Sequence, residues 1–156
     1  MLISNMVVFD RFLKEKIPIA QTMAISIVDI SPLELTMLLP LAPNRNHKGT
    51  LFGGSLYSGA ALACYGLFLY GLSNNGFSTD DIVISKGDIS YIKPVKSDAL
   101  IIANWSDANT PNLFYRRLSK KGRARIPLSA KIMEGDSLCA IFHSQFVAKI
   151  ESGKLK

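Results

Sequence analysis

The residues best placed to do chemistry stand at one junction, where Asn46-His47-Lys48-Gly49-Thr50-Leu51-Phe52-Gly53-Gly54 leads into a long uncharged run. A glycine pair at the start of a helix leaves the first backbone N–H groups without partners. The helix dipole adds partial positive charge at the same place. A carbonyl set against those groups would be polarised and its developing oxyanion stabilised; one such donor is worth about 2.7–4 kcal/mol of barrier. Glycine also lets a substrate approach the backbone closely. The alternative for Gly53 and Gly54 is purely structural, a turn into a helix beneath a crowded sheet.

Groups able to move a proton are sparse around this junction. His47 could serve as a general base, although a loop histidine beside Lys48 is more often simply solvated. Ser58 lies one turn into the helix and could orient water, or bond back to a helix carbonyl. Asp80 and Asp81 read as turn or helix-start residues, and His143 as a strand residue. His47 with Asp88 is the one His–carboxylate pair the sequence offers.

A second feature is charge. The chain carries a formal net charge of +6, and Arg116, Arg117, Lys120, Lys121, Arg123 and Arg125 crowd together with no acidic residue among them. Such a cluster holds anionic groups by charge-assisted bonds, or forms a solvated basic face. No aromatic-interleaved or groove-reading motif accompanies it, so nucleic acid is not the expected partner.

These residues need elements to hold them. The spacing of Phe9, Phe12, Leu13 and Ile17 predicts a helix that stops before Pro18. From Met23 the period becomes two (Met23, Ile25, Ile27), and it resumes after Ser31-Pro32 through Leu33, Leu35, Met37 and Leu39, which predicts two strands. Pro40 to Gly49 is rich in turn formers. A helix follows from Gly53 to about Leu72, with Ser55, Gly59 and Ala63 forming a flat stripe; Ser73-Asn74-Asn75-Gly76 ends it. The segments 82–95, 99–105, 124–132 and 138–148 alternate as strands. The last two form a hairpin across Glu134-Gly135-Asp136. Pro127 places its strand at an edge or a bulge. Thr110, Pro111 and Gly122 delimit a short helix inside this run.

With 156 residues, 48% hydrophobic and 19% charged, the chain is sized for one globular domain. Cys64 and Cys139 lie in apolar runs and read as buried thiols of a cytoplasmic protein; no metal-ligand spacing occurs. Met1 to Phe9 is apolar but lacks the basic start and cleavage site of a signal peptide. Leu51–Leu72 is long enough to span a bilayer. Its glycines and serines and its flanking strands fit a buried core helix instead, and no membrane partner is expected. One apolar helix among about six antiparallel strands must be covered by them, an α+β arrangement.

The stretch Leu41 to Gly54 resembles hotdog-fold thioesterases of the phenylacetate-pathway type, whose motif reads roughly Asn-x-x-Gly-Thr-x-His-Gly-Gly before the central helix. The whole chain is similar to the thioesterase domain at the C-terminus of YiiD-type acetyltransferase fusions. Gly49 to Tyr57 and Asp88-Ile89-Ser90-Tyr91-Ile92-Lys93-Pro94-Val95 carry the likeness most specifically. The resemblance implies a hotdog fold, a curved antiparallel sheet wrapped around the central helix. It implies an acyl-CoA or acyl-carrier-protein thioester as substrate, with the acyl chain in an apolar channel beside that helix. It implies a homodimer or higher homo-oligomer whose sheets join edge to edge. Asn46 falls on the asparagine that positions the thioester or the water, and Gly53 on the oxyanion glycine. Phe52 replaces the motif's histidine, and Ala61 stands where related enzymes carry Asp or Glu. Coenzyme A would enter as part of the substrate, with no separate cofactor. Lys93, Arg116, Lys120, Lys121 and Arg123 are the candidates for its phosphates. A non-catalytic acyl-CoA binding module is the alternative reading that Ala61 favours.

Overall fold

The computed structural model describes residues 5–105, 107 and 109–150. Six strands form one antiparallel sheet: β1 (Ser26–Ile30), β2 (Glu34–Leu39), β3 (Ile82–Tyr91), β4 (Ala99–Trp105), β5 (Arg123–Glu134) and β6 (Ser137–Lys149). Their order across the sheet is β1-β2-β4-β5-β6-β3, so β1 and β3 are the edges. Every neighbouring pair is antiparallel. The helices are α1 (Met6–Lys16), α2 (Pro18–Thr22), α3 (Leu41–Asn44), α4 (Gly53–Asn74) and α5 (Thr110–Lys121). The sheet curves around α4, which is the hotdog arrangement.

Alternation in the strands supplies the inner face. Ile101, Ala103 and Trp105 of β4, Ile126, Leu128, Ala130 and Ile132 of β5, and Phe142 and Phe146 of β6 are all buried. The flat stripe on α4 is what admits them. A Cβ on Gly59 would collide with Ile101 and touch Ile25 and Leu39, while one on Gly66 would press on Leu35 and Leu13. α4 is long and apolar enough to cross a membrane, but 61% of its most apolar window is buried within the fold. Cys64 and Cys139 are both free and buried, as their apolar contexts predict.

The first helix begins earlier than its apolar spacing predicts. Asn5 caps it, accepting from the backbone N–H of Val7 at 2.9 Å. Asp10 then ties α1 to β1 by accepting from the N–H of Ile27 at 2.8 Å. Three expectations need correction. The strand expected from Met23 begins only at Ser26, because Pro18 starts the extra helix α2 and Ala24 has φ of 52°. The loop from Pro40 contains the one-turn helix α3, which buries Asn44; its Nδ2 donates to the carbonyls of Met23 and Pro40. Pro127 lies in an inner strand, between β4 and β6, and the β5 irregularity falls at Ile132/Met133 instead. Among the described residues Pro127 pairs with Gln145 of β6, and the register with β4 runs as far as Trp105 opposite Leu128.

Candidate active site

The loop before α4 is built by Asn46. Its Oδ1 accepts from the N–H groups of Lys48 at 2.9 Å and Thr50 at 3.2 Å, and its Nδ2 donates to Thr50 Oγ1 at 2.9 Å. Its backbone N–H donates to the Thr50 carbonyl at 2.7 Å. This is an Asx-type closure of a tight loop, and Gly49 permits it with φ of 76°. Two further backbone bonds fix where the helix starts, Leu51 N–H to the Val95 carbonyl (2.9 Å) and Phe52 N–H to the Asn44 carbonyl (2.8 Å).

Phe52 is the N-cap of α4 and offers no side-chain acceptor. The first helical N–H to find a carbonyl is that of Leu56, which donates to Phe52 at 3.0 Å. The N–H groups of Gly53, Gly54 and Ser55 therefore have no acceptor among the described residues. Gly54 is exposed and Gly53 half-buried. Three open donors at the positive end of a long helix are suited to a carbonyl oxygen that gains negative charge.

Around this start stand two tyrosines that the sequence reading did not assign to the site. Tyr91, at the end of β3, donates from its hydroxyl to the Gly53 carbonyl at 2.8 Å. A Cβ on Gly53 would lie 3.3 Å from that ring, so glycine is what lets β3 approach the helix start. Tyr57, one turn into α4, meets Phe142 edge-on at 5.0 Å between centroids and fills the space that a side chain on Gly87 would need. Burial and then the neighbouring Tyr57 raise the Tyr91 phenol above its usual range, so it stays a neutral donor at physiological pH. Each ring presses on a glycine, Tyr91 on Gly53 and Tyr57 on Gly87, and a glycine in the sequence does not announce the ring that needs it.

A family model described as "Putative thioesterase (yiiD_Cterm)" matches residues 7–150. The chain belongs to that thioesterase family. Among solved structures it is similar to the protein OLEI01261 of unknown function from Chlorobaculum tepidum TLS. That match has 28% identity and a TM-score of 0.85, and covers 93% of this chain and 94% of the other. It is also similar to a putative thioesterase from Shewanella oneidensis, at 27% identity and TM-score 0.80, covering 92% and 96%. The fold recurs in PA5026 of Pseudomonas aeruginosa, described as a probable thioesterase, at 20% identity and TM-score 0.81 over 94% and 97%. No curated protein sequence matches.

Within this thioesterase-family fold, the predicted residues fall into two groups. Asn46, His47, Gly53, Gly54 and Ser58 lie in the loop and first turns of α4, and Lys93 follows Tyr91 by two positions. Asn46 spends most of its amide on the loop. His47 is exposed. Ser58 is half-buried, and its hydroxyl makes no hydrogen bond among the described residues. Ala61 is half-buried, two turns beyond Gly53 on the face that also carries Tyr57. No acid or imidazole replaces the missing carboxylate on that face.

Arg116, Lys120, Lys121 and Arg123 are elsewhere. α5 packs on the far end of α4, with Phe114 edge-on to Phe68 (5.2 Å) and Tyr115 against Gly71. Gly71 is about 27 Å along the helix from Gly53 at the usual rise, so one chain does not bring this cluster to the helix start. Asp88 is also excluded: it shares a register position with His143, and the adjacent Gly87 faces inward against Tyr57. Asp88 thus points to the outer face, away from α4 and from any pairing with His47.

Proposed function

We propose that this thioesterase-family protein hydrolyses a thioester of coenzyme A or of an acyl-carrier protein at the start of α4. The observation that carries this reading is the set of acceptorless N–H groups on Gly53, Gly54 and Ser55. The thioester oxygen accepts from these donors, which draws electron density from the carbonyl carbon. Water adds to that carbon and loses a proton to a base, and the oxyanion is held by the same N–H groups. Collapse expels the thiolate, which takes up a proton, leaving a free acid and a free thiol. With Ala61 in place of an acid, the base comes from outside that helix face, and His47 in the adjoining loop is the imidazole available for it.

The reading includes a homodimer. β3 is an edge strand, and along it Val83 is 53% and Ile84 41% exposed. Unpaired strand edges of this kind recruit another strand. Two-fold pairing of β3 with its copy runs the two strands in opposite directions. Lys93, two residues beyond Tyr91, is the cation this chain itself supplies near Gly53. The two buried free thiols fit a reducing, cytoplasmic setting.

Thiol release measured across short-, medium- and long-chain acyl-CoAs and an acylated carrier protein tests the proposal, and hydrolysis of at least one is expected. Acyl-CoA binding without release from any of them would support the second reading, a binding module that Ala61 has deprived of its carboxylate.

A further inference from the structure

We infer that the far end of α4 carries a second binding site, for a carboxylate with an apolar body, built between α4, α5 and the β1–β2 turn. It does not rest on the hydrolysis proposed above. Two depressions meet there, a more enclosed one of about 310 Å³ and a shallow, open one of about 340 Å³. Each is near the lower end of the volumes, about 300–1,000 Å³, that take small molecules. The first is walled by Pro32, Leu33, Tyr70, Gly71 and Pro111, with Asn74 and Asn112 also on its wall. The second is lined by Phe77, Arg116, Ser119 and Lys120. Asn75 and Tyr115 line both and form the ridge between the two lobes, where Asn75 Nδ2 donates to the Gly71 carbonyl at 2.8 Å.

The polar lobe suits an anion. Arg116 and Lys120 are one helical turn apart on α5, and neither has a carboxylate within ion-pair distance among the described residues. Tyr115 stacks on Phe77 (5.7 Å between centroids, 18° between planes), which fixes the phenol at the ridge. Burial holds that phenol neutral and able to donate well above physiological pH. Two cations and neutral donors beside an apolar lobe match a carboxylate on a short aliphatic body. Glycine at position 71 makes the lobe possible, since a Cβ there would collide with the Tyr115 hydroxyl.

The chain's single tryptophan stands beside this place. Trp105 lies behind the wall, with Cζ2 3.2 Å from the Cβ position on Gly71 and its ring 6.1 Å from that of Tyr115. Its buried indole N–H has no acceptor among the described residues, so its emission is sensitive to a polar group arriving nearby. Titration of the full chain with decanoate should give a saturable change in Trp105 emission. R116E/K120E and, separately, L33D should each weaken the apparent affinity at least tenfold while circular dichroism and Tm stay near wild type. All three positions are exposed, so folding is spared. Decanol and inorganic phosphate, which carry the body or the charge alone, should each bind at least tenfold more weakly. Absence of a saturable change overturns the inference. So do equal affinities in wild type and both variants, or phosphate or free coenzyme A binding there as tightly as decanoate.

Discussion

The Tyr91 hydroxyl donates to the Gly53 carbonyl across 2.8 Å, tying the last residue of edge strand β3 to the first residue of the central helix. That carbonyl belongs to the peptide whose N–H is Gly54's, so the bond also orients one of the open donors. Tyr91→Phe removes it without changing the ring. Stability should fall by about 0.5–1.5 kcal/mol, and thioester turnover should fall about tenfold, mainly in kcat. Thermal melts and steady-state kinetics of the variant check both; unchanged kcat would free Tyr91 of any part in positioning.

The open N–H groups themselves are tested by deleting one. Proline at the first position of a helix is well tolerated, and Phe52 already has the extended backbone (φ −65°, ψ 133°) that a residue before proline adopts. Gly53→Pro should therefore keep α4 while removing a donor, with slight crowding against the Tyr91 ring. Hydrolysis should drop about 10²–10³-fold with little change in melting temperature. A variant that folds and turns over at the wild-type rate would remove the helix start from the mechanism.

Ala61→Asp probes the missing half. The position is half-buried on the Tyr57 face of α4, where the resemblance to hotdog thioesterases implies an acid. Helix propensity alone costs about 0.7 kcal/mol. If the site is otherwise assembled, hydrolysis should rise at least tenfold, and the pH profile should gain an acidic limb from the new carboxylate. An unaltered rate and profile in the folded variant would mean that position 61 does not face the reacting carbon.

The fold was legible because its two periods are clean. The alternation in residues 124–132 and 138–148, and the flat Ser55, Gly59 and Ala63 stripe, leave few ways to bury a charge-free helix other than beneath a sheet. What sequence hid was three-dimensional. Ala24 gives no sign that its backbone turns left-handed and delays β1. The basic residues of α5 look like one functional unit with the glycine motif until α4 is seen to hold them a helix length apart. Tyr57 and Tyr91 became visible only with the glycines they press on, since a close approach has no signature in one chain segment.

Edge pairing predicts an oligomer that a charge should open. Ile84 is 41% exposed on β3, next to the irregularity at Ile84/Lys86. A lysine there places charge on the unpaired edge, a device that blocks strand addition. Light scattering behind a sizing column should find a dimer or larger assembly for wild type and a monomer for Ile84→Lys, with far-UV circular dichroism preserved. Wild type eluting as a monomer at micromolar concentration would argue against edge pairing.

Stability at alkaline pH should depend on Cys64. Burial against β6, offset in part by a hydrogen bond with Ser144, raises its thiol from 9.0 to about 12. In the unfolded chain the thiol ionises near its ordinary value, whereas in the fold it keeps its proton. Between those two values the folded state binds more protons, so stability falls as pH rises. This contribution is fully present below pH 9.0 and is lost progressively toward pH 12, at a slope approaching about 1.4 kcal/mol per pH unit. Tyr115, also raised by burial, adds to the same alkaline loss. Cys64→Ala abolishes the thiol's share, so its denaturation midpoint should decline less steeply over that window, although a small void lowers its stability at neutral pH. Urea titrations at pH 7, 9 and 10.5 make the comparison; parallel declines in the two proteins would show that Cys64 ionises in the folded chain as readily as in the unfolded one.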